Sequence, residues 1–427
     1  MLGVIGVLIF IFGLLGSIAL HEIGHMVPAK KFGVRVTQYM VGFGPTVWSR
    51  KRGETEYGLK AIPMGGYIRM IGMFPPRSSS VAASGRFADM IEQSREESLQ
   101  EVAAGEDHRT FYNLSVPKKL TVMFCGPFMN LVLAFVFFAL SMSAIGSPQA
   151  TTQIRDVVAC IPTSANPNGL VSTDGTCGSG SKTAASVLGL QRLDTIKSVN
   201  RSDIRTWDDL GNALANTAGK KVDVSFERNG KLVNSSVVMT SLTDPTFERN
   251  PNQGFLGVSP AMDLVREPVT AVPIVVWQQT KSAISGLSGF PNDIVGLGKN
   301  LVSDDPRDPN GPVGVIGVGR ISGEISNASE FSISAKIGAL LSLLASLNLV
   351  LFIFNLIPIL PLDGGHMASA AYEGVRRSIA RMRGVRPLPG PSDTARMLPV
   401  TYIVGLILIA ASLLVAFADI VKPITLG

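Results

Sequence analysis

Two short stretches hold the residues whose types and spacing could do chemistry. The first is His21-Glu22-Ile23-Gly24-His25, and the second is Pro361-Leu362-Asp363-Gly364-Gly365-His366. On a helix the H-E-x-x-H spacing puts His21 and His25 on one face, about one turn apart. Two neutral imidazoles so placed can grip one Zn²⁺, with Glu22 in reach of the water that such a site activates. A catalytic zinc site needs a third protein ligand and one open position. Asp363 is the candidate, and His366 and Glu373 are its rivals.

The elements that must position these residues are membrane-grade helices. The chain has 427 residues, 46% of them hydrophobic, and a mean hydropathy of +0.31, which indicates a membrane protein. Met1 to Leu20, directly before His21, carries no charge, and neither do Leu120–Ala144, Ile337–Ile357 and Leu398–Ala418. Each is long enough to span a bilayer, so four spans are expected. The first is expected to stay as a span and not to be removed as a signal peptide: it has no basic leader, and no small-residue cleavage site follows it.

Charge orients the spans. Residues 29–119 hold 14 Lys/Arg against 9 Asp/Glu, residues 358–397 hold 6 against 3, and residues 145–332 hold 16 against 18. Lys30, Lys31 and Arg35 follow the first span, Lys118 and Lys119 precede the second, and Arg376, Arg377, Arg381, Arg383 and Arg386 follow the third. The positive-inside rule then makes 29–119 and 358–397 cytosolic, with the termini and 145–332 outside. The net charge of +6 needs no nucleic acid, because cytosolic loops beside anionic lipid account for it. His21 lies about 30 Å along the helix from Leu2. Spans one and three run in the same direction, so HEIGH and Asp363 share one depth at the cytosolic edge. An acidic group there is costly unless it is paired or metal-bound, which favours Asp363 over His366 and Glu373. Asn130 and Asn355 serve as readily to bridge helices as to do chemistry.

The fold expected is a multi-pass α-helical membrane protein with four transmembrane helices, a membrane-associated β-hairpin sheet and an inserted αβ module. Its parts are a first span with the metal signature (1–28), a cytosolic ribbon and charged insert (29–119), a second span (120–146), an outward αβ module (150–260), a linker with a candidate interfacial helix (261–332), a third span running into the Asp363 motif (333–375), a basic cytosolic loop (376–397) and a fourth span (398–420). The first span is expected to end near Pro28. VRVTQYMV alternates as a strand, Gly42-Phe43-Gly44-Pro45 breaks it, and 46–48, 56–62 and 66–70 read as further strands. Residues 75–110 read as an exposed, solvated helix on a flexible tether, with His108 on the surface. Cys125 reads as packing, while Cys160 and Cys177 lie in the outward segment, where a disulfide can form.

The outward module resembles a bacterial PDZ domain. Ala185-x-x-x-Gly189-Leu190, Asp194-x-Ile196-x-x-Val199-Asn200, the Arg228-Asn229-Gly230 hairpin and the closing Gly254–Val258 carry the likeness, and Leu193 departs from it where such domains have glycine. The whole chain resembles the site-2 protease family, in its bacterial regulated intramembrane zinc metalloprotease branch of the RseP type. HEIGH, the Gly42-Phe43-Gly44-Pro45 ribbon with Pro63-Met64-Gly65-Gly66-Tyr67, the PDZ module and Asn355-x-x-Pro358-x-x-Pro361-Leu362-Asp363-Gly364-Gly365 carry this likeness nearly end to end. The single PDZ module is closer to actinobacterial members than to tandem-PDZ ones. The resemblance implies one Zn²⁺ per chain on His21, His25 and Asp363, with Glu22 as general base. It implies that Asn355, Pro358, Gly42, Phe43 and Gly44 bind substrate. It implies substrates that are single-span membrane proteins, such as anti-sigma factors after a first cleavage, or remnant signal peptides. The PDZ module would meet a peptide or the substrate's ectodomain outside the cytoplasmic membrane. Two other classes stay open: a membrane zinc peptidase of the prenyl-protein kind, and a non-catalytic membrane scaffold with a PDZ module.

Overall fold

The computed structural model describes residues 2–76, 87–162, 177, 181–240, 252–303, 307–308, 311–328 and 331–424. The chain divides into two compact units, one of residues 1–145 with 267–427 and one of residues 146–266.

The first unit opens with α1, Leu2–Lys31, which continues through Pro28 for another turn instead of ending there. Proline removes one intrahelical bond, but the Phe32 N–H still closes on the Pro28 carbonyl and the Val34 N–H on Ala29. Two long strands follow, β1 Val36–Arg52 and β2 Thr55–Met70. The expected break at 42–45 becomes a bulge inside β1: Gly42 and Gly44 take φ values of +93° and +82°, and the register shifts between Val41, Phe43 and Thr46. Positive φ is the conformation in which glycine has no steric cost. Residues 38–41 pair on both sides, with 66–69 on one and 56–59 on the other, so the ribbon folds over itself and leaves 66–70 at an edge. Val34, Val36 and Met70 pack with Ala29, Phe111, Val122 and Met123, which seats the sheet on the membrane helices.

Helix α2, Ala88–Gln100, lies at the surface as expected but is anchored at one point. Its Arg95 is only 4% exposed and donates to the Pro75 carbonyl and, through Nη2, to both Asp393 oxygens at 3.0 and 3.2 Å. A single buried arginine on a polar helix thus has a half-buried partner almost 300 residues away, which no local pattern reveals. The tether at 77–86 lies outside the described residues. His108 is exposed, and its Nδ1 lies 3.0 Å from the Gly105 carbonyl. Helix α3, Val116–Ala139, contains Pro127 and runs into a π-helical turn, Leu140–Ile145.

Among its described residues, the second unit is a six-stranded antiparallel sheet with two short helices. In chain order these are β3 Ser147–Val157, α4 Ala184–Leu188, β4 Thr195–Val199, β5 Ser202–Asp203, α5 Trp207–Ala213, β6 Lys221–Arg228, β7 Lys231–Val238 and β8 Val258–Val265. The sheet order is β7-β6-β4-β3-β8, with β5 on β4. Ile154, Ile196, Val199, Leu210, Val224 and Phe226 form its core. Local sequence sets the ends of its helices. Gly189 ends α4 at φ +67°, and Thr206 and Asp209 form a capping box on α5. Cys160 and Cys177 form a disulfide with Cα atoms 5.5 Å apart. Leu193 keeps a left-handed φ of +74° although it is not glycine. Its N–H donates to the Ile154 carbonyl, and its neighbour Asp194 is gripped by the Arg228 guanidinium at 2.6 and 2.8 Å and by the Gln191 N–H at 2.8 Å.

Burial pushes the Asp194 carboxyl up, but the bonds from Arg228 and Gln191 outweigh it and hold the group below the usual aspartate range. A depressed folded-state pKa stabilises above the unfolded value, about 3.9, and that stability is lost as pH falls through the folded value. Asp194→Asn should therefore lower amide hydrogen-exchange protection of this unit roughly tenfold at pH 7, and the gap to the unsubstituted protein should close as the pH is taken below 4.

Back in the first unit come α6 Val272–Val302, α7 Val315–Asn327, α8 Ile333–Asn355, α9 Asp363–Met382 and α10 Leu398–Val421. Among the described residues, four helices are long and apolar enough to cross a membrane: those within Gly3–Lys31, Val116–Ile145, Ile333–Asn355 and Thr394–Val421. Helix α6 is not among them. Its Val272 and Val276 pack with Ala134, Phe138, Ala345 and Leu349, and its Leu297 with Val415 and Ala418. Helix α7 lies close along α1, where a Cβ on Gly6 would fall 1.9 Å from Ser326 Oγ. Asp419, 1% exposed, pins the start of α7 to the end of α10 by accepting from the Gly314 and Gly317 N–H groups and from Arg307.

Candidate metal centre and active site

Helix α1 presents His21, Glu22 and His25 near its C-terminal end, and α9 begins at Asp363. Between α8 and α9 the chain reverses over Leu356–Leu362. Gly364 and Gly365 do not loosen this stretch, as their type suggests, but stand inside α9 pressed onto the turn. A Cβ on Gly364 would lie 2.3 Å from the Ile357 carbonyl, and one on Gly365 would lie 2.5 Å from the Leu360 nitrogen. Glycine is needed there so that the first turn of α9 can sit on the preceding backbone and bring Asp363 up to α1.

Three donor groups converge. His21 Nε2 and His25 Nε2 are 3.2 Å apart. Asp363 Oδ2 is 3.3 Å from His21 Nε2, and Oδ1 is 3.4 Å from His25 Nε2. Ligands held about 2.0–2.1 Å from a tetrahedral zinc ion are ~3.3 Å from one another. The donor set and its spacing therefore fit Zn²⁺, and the three are one group of metal-capable donors. Glu373 is elsewhere, 1% exposed and bonded to Lys119 Nζ at 2.8 Å, Arg377 at 2.7 Å and the Ser392 N–H at 3.0 Å. His366 borders the same cavity as the three but is not one of the converging donors.

Glu22 is 8% exposed and lies against the backbone of β2 at Gly66 and Ile68. Strand β2 thus runs directly past it, and a Cβ on Gly66 would fall 3.0 Å from Glu22 Cγ. Tyr39 Oη donates to the Ala19 carbonyl at 2.8 Å, which ties β1 to the same turn of α1. A cavity of about 310 Å³ joins His21, Glu22, His25 and Asp363 to Gly66, Tyr67, Ile68 and Met70.

The other residues expected at the site are further out. Phe43, 46% exposed, stacks on Tyr67 at 6.2 Å, so the 42–44 bulge meets the cavity only through that ring. Asn355 is the half-buried last residue of α8 and does not line the cavity. Pro358 borders a separate cavity of about 560 Å³, with Ile359, Leu360, Tyr372 and Met397.

Sequence reasoning missed the face of α3. His25 Nδ1 lies 2.8 Å from the Val122 carbonyl, a contact that places its proton on Nδ1 and leaves Nε2 free as a metal donor. A Cβ on Gly126 would lie 2.1 Å from His25 Nε2, and one on Gly24 would lie 2.4 Å from the Cys125 carbonyl. The signal was present as a Gly126-Pro127 pair inside an apolar span, with Asn130 one turn later.

The model of peptidase family M50 matches residues 9–386. The chain belongs to peptidase family M50. It is similar to zinc metalloprotease Rip1 of Mycobacterium tuberculosis, 29% identical with all of both chains covered. It is similar to Rip1 of Mycolicibacterium smegmatis, 31% identical over 99% of this chain and 98% of the relative. It is also similar to zinc metalloprotease RasP of Shouchella clausii, 24% identical over 83% of this chain and 87% of the relative. An M50 peptidase of the site-2 protease type is an intramembrane zinc metalloprotease.

Proposed function

We propose that His21, His25 and Asp363 hold one Zn²⁺ per chain, that Glu22 is the general base, and that the bond cut lies in the membrane segment of a single-span protein. The observation that carries this reading is the convergence of the two Nε2 atoms, 3.2 Å apart, on the Asp363 carboxylate, whose Oδ2 and Oδ1 lie 3.3 and 3.4 Å from His21 and His25, beside a second carboxylate that is not part of the group. Zinc bound there supplies Lewis acidity, which activates water and polarises a peptide carbonyl. Glu22, held against β2 at Gly66, takes the proton of the attacking water on its carboxylate and delivers it to the leaving amine nitrogen. Helical peptide bonds are shielded and already hydrogen-bonded, so a substrate must be extended before it is cut. The 66–70 edge, paired on one side only and facing Glu22, is suited to receive such a segment by strand addition. Gly42, Phe43 and Gly44 support that edge through Tyr67. Asn355 and Pro358 flank the turn that carries Asp363 and guide the segment from that side.

The substrates proposed are anti-sigma factors already shortened by another protease, and remnant signal peptides. On charge, the protein sits in the bacterial cytoplasmic membrane with its site at the cytosolic face and its termini outside. Residues 146–266 form an outward PDZ module that excludes substrates with bulky ectodomains. Its sheet order, the left-handed turn at Leu193-Asp194 and the helix capped by Gly189 support this assignment.

The test is proteolysis by protein reconstituted in vesicles, with the cut position located by mass spectrometry on a single-span substrate offered both shortened and full-length. Cleavage inside the membrane segment of the shortened form alone is the expected result. Removing 146–266 should raise cleavage of the full-length form about tenfold or more, the order of one lost steric exclusion of ~1.4 kcal/mol. A full-length form that stays protected would rule out the filter role.

A further inference from the structure

Asn130 of α3 is 1% exposed. Its Nδ2 lies 3.1 Å from His21 Nδ1, while its Oδ1 is buried with no partner among the described residues. His21 turns Nε2 toward His25 and Asp363, so Nδ1 is the ring nitrogen left over. An imidazole that gives its Nε2 lone pair to a metal and stays neutral must carry its proton on Nδ1. An amide N–H facing that proton sets donor against donor. A half-turn of the Asn130 amide removes the conflict, because Oδ1 then accepts from Nδ1–H and Nδ2 takes the place Oδ1 held.

We infer that Asn130 is a positioning residue that holds His21 in its Nε2-donating tautomer by accepting the Nδ1 proton. This rests on the assignment of His21 as a zinc ligand. Val122 does the same for His25 with its backbone carbonyl at 2.8 Å. The two partners are eight residues apart on α3, about 12 Å along the axis, whereas the histidines are about 6 Å apart on α1. Helix geometry closes the difference. Carbonyls point toward the C-terminus of a helix and side chains lean toward the N-terminus. Val122 O and the Asn130 amide therefore both reach toward the level of Gly126, where the absence of a Cβ admits the His25 ring. One face of α3, spaced i, i+4, i+8, thus orients both imidazoles of the antiparallel α1.

The inference is tested on the full-length, zinc-loaded protein in detergent, by titrating a chelator and measuring the zinc retained by elemental analysis. Asn130→Leu keeps the volume but has no acceptor, and it should weaken zinc affinity by about 10- to 100-fold. Asn130→Asp keeps an acceptor and should hold zinc about as tightly as the unsubstituted protein. A packing role predicts the reverse order, and that result would overturn the inference. So would a fall in kcat for Asn130→Leu with unchanged zinc affinity, since Asn130 would then act on the substrate. His21→Ala separates the two levels: if it holds zinc normally, the ligand assignment itself fails, and if it loses zinc while Asn130→Leu does not, only the role of Asn130 fails. Should Asn130→Leu not fold, ¹⁵N-histidine NMR of the unsubstituted protein and Asn130→Asp decides the matter. The His21 Nδ1 proton should move downfield against the carboxylate, and no movement would overturn the inference.

Discussion

Glu22→Gln should abolish proteolysis while leaving zinc in place. The substitution keeps the size of the side chain, which is 8% exposed beneath Gly66 and Ile68, and removes only its capacity to take a proton. General-base catalysis is worth about 10²- to 10⁴-fold, so cleavage of a shortened single-span substrate should fall by at least that factor. Elemental analysis of the same preparation should show the zinc content unchanged, because the three converging donors are His21, His25 and Asp363. Zinc loss in this variant would mean that Glu22 is a ligand and that another group is the base.

Asp363→Asn should do the opposite and empty the site. An amide oxygen is neutral and a far weaker zinc donor than a carboxylate, and its nitrogen would place a donor against His21 or His25 at the 3.3 and 3.4 Å contacts now made by Oδ2 and Oδ1. Loss of a ligand should exceed the ~100-fold that loss of an outer partner costs, so zinc retained against a chelator should fall by more than that, and activity with it. Normal zinc content in this variant would remove Asp363 from the ligand set. Its helical setting makes the experiment clean, since Gly364 and Gly365, not the carboxylate, hold the start of α9 on the preceding turn. The two variants together separate the ion from the base: one keeps zinc without activity and the other loses both.

The contrast between α2 and the capped helices of the second unit shows where local signals suffice. Thr206 and Asp209 satisfy the free N–H groups at the start of α5 from within four residues, so the sequence announces them. Arg95 finds its partner in Asp393, and nothing within a few residues of either indicates the other. Likewise, the apolar runs announce the helices that can cross a membrane, since length and hydropathy are local properties. The role of α6 depends on which neighbours its mixed faces meet.

By itself, the sequence determined that two histidines and a glutamate share the end of an apolar helix, since four-residue spacing on a helix permits no other outcome. On depth it also favoured Asp363 over His366 and Glu373 as the third donor. Only the tertiary structure shows where each carboxylate goes: it turns Asp363 onto the histidines and buries Glu373 against Lys119. It also decided which groups lie behind the rings and beside Glu22, namely Val122, Gly126 and Asn130 of α3 and Gly66 of β2. The physical reason is register. Periodicity states which residues of one element share a face, but the carbonyl that comes opposite a given nitrogen is set by how far two helices slide past each other. That displacement is fixed by close contacts such as Gly24 on Cys125 and Gly126 on His25, which exist only once the helices are packed.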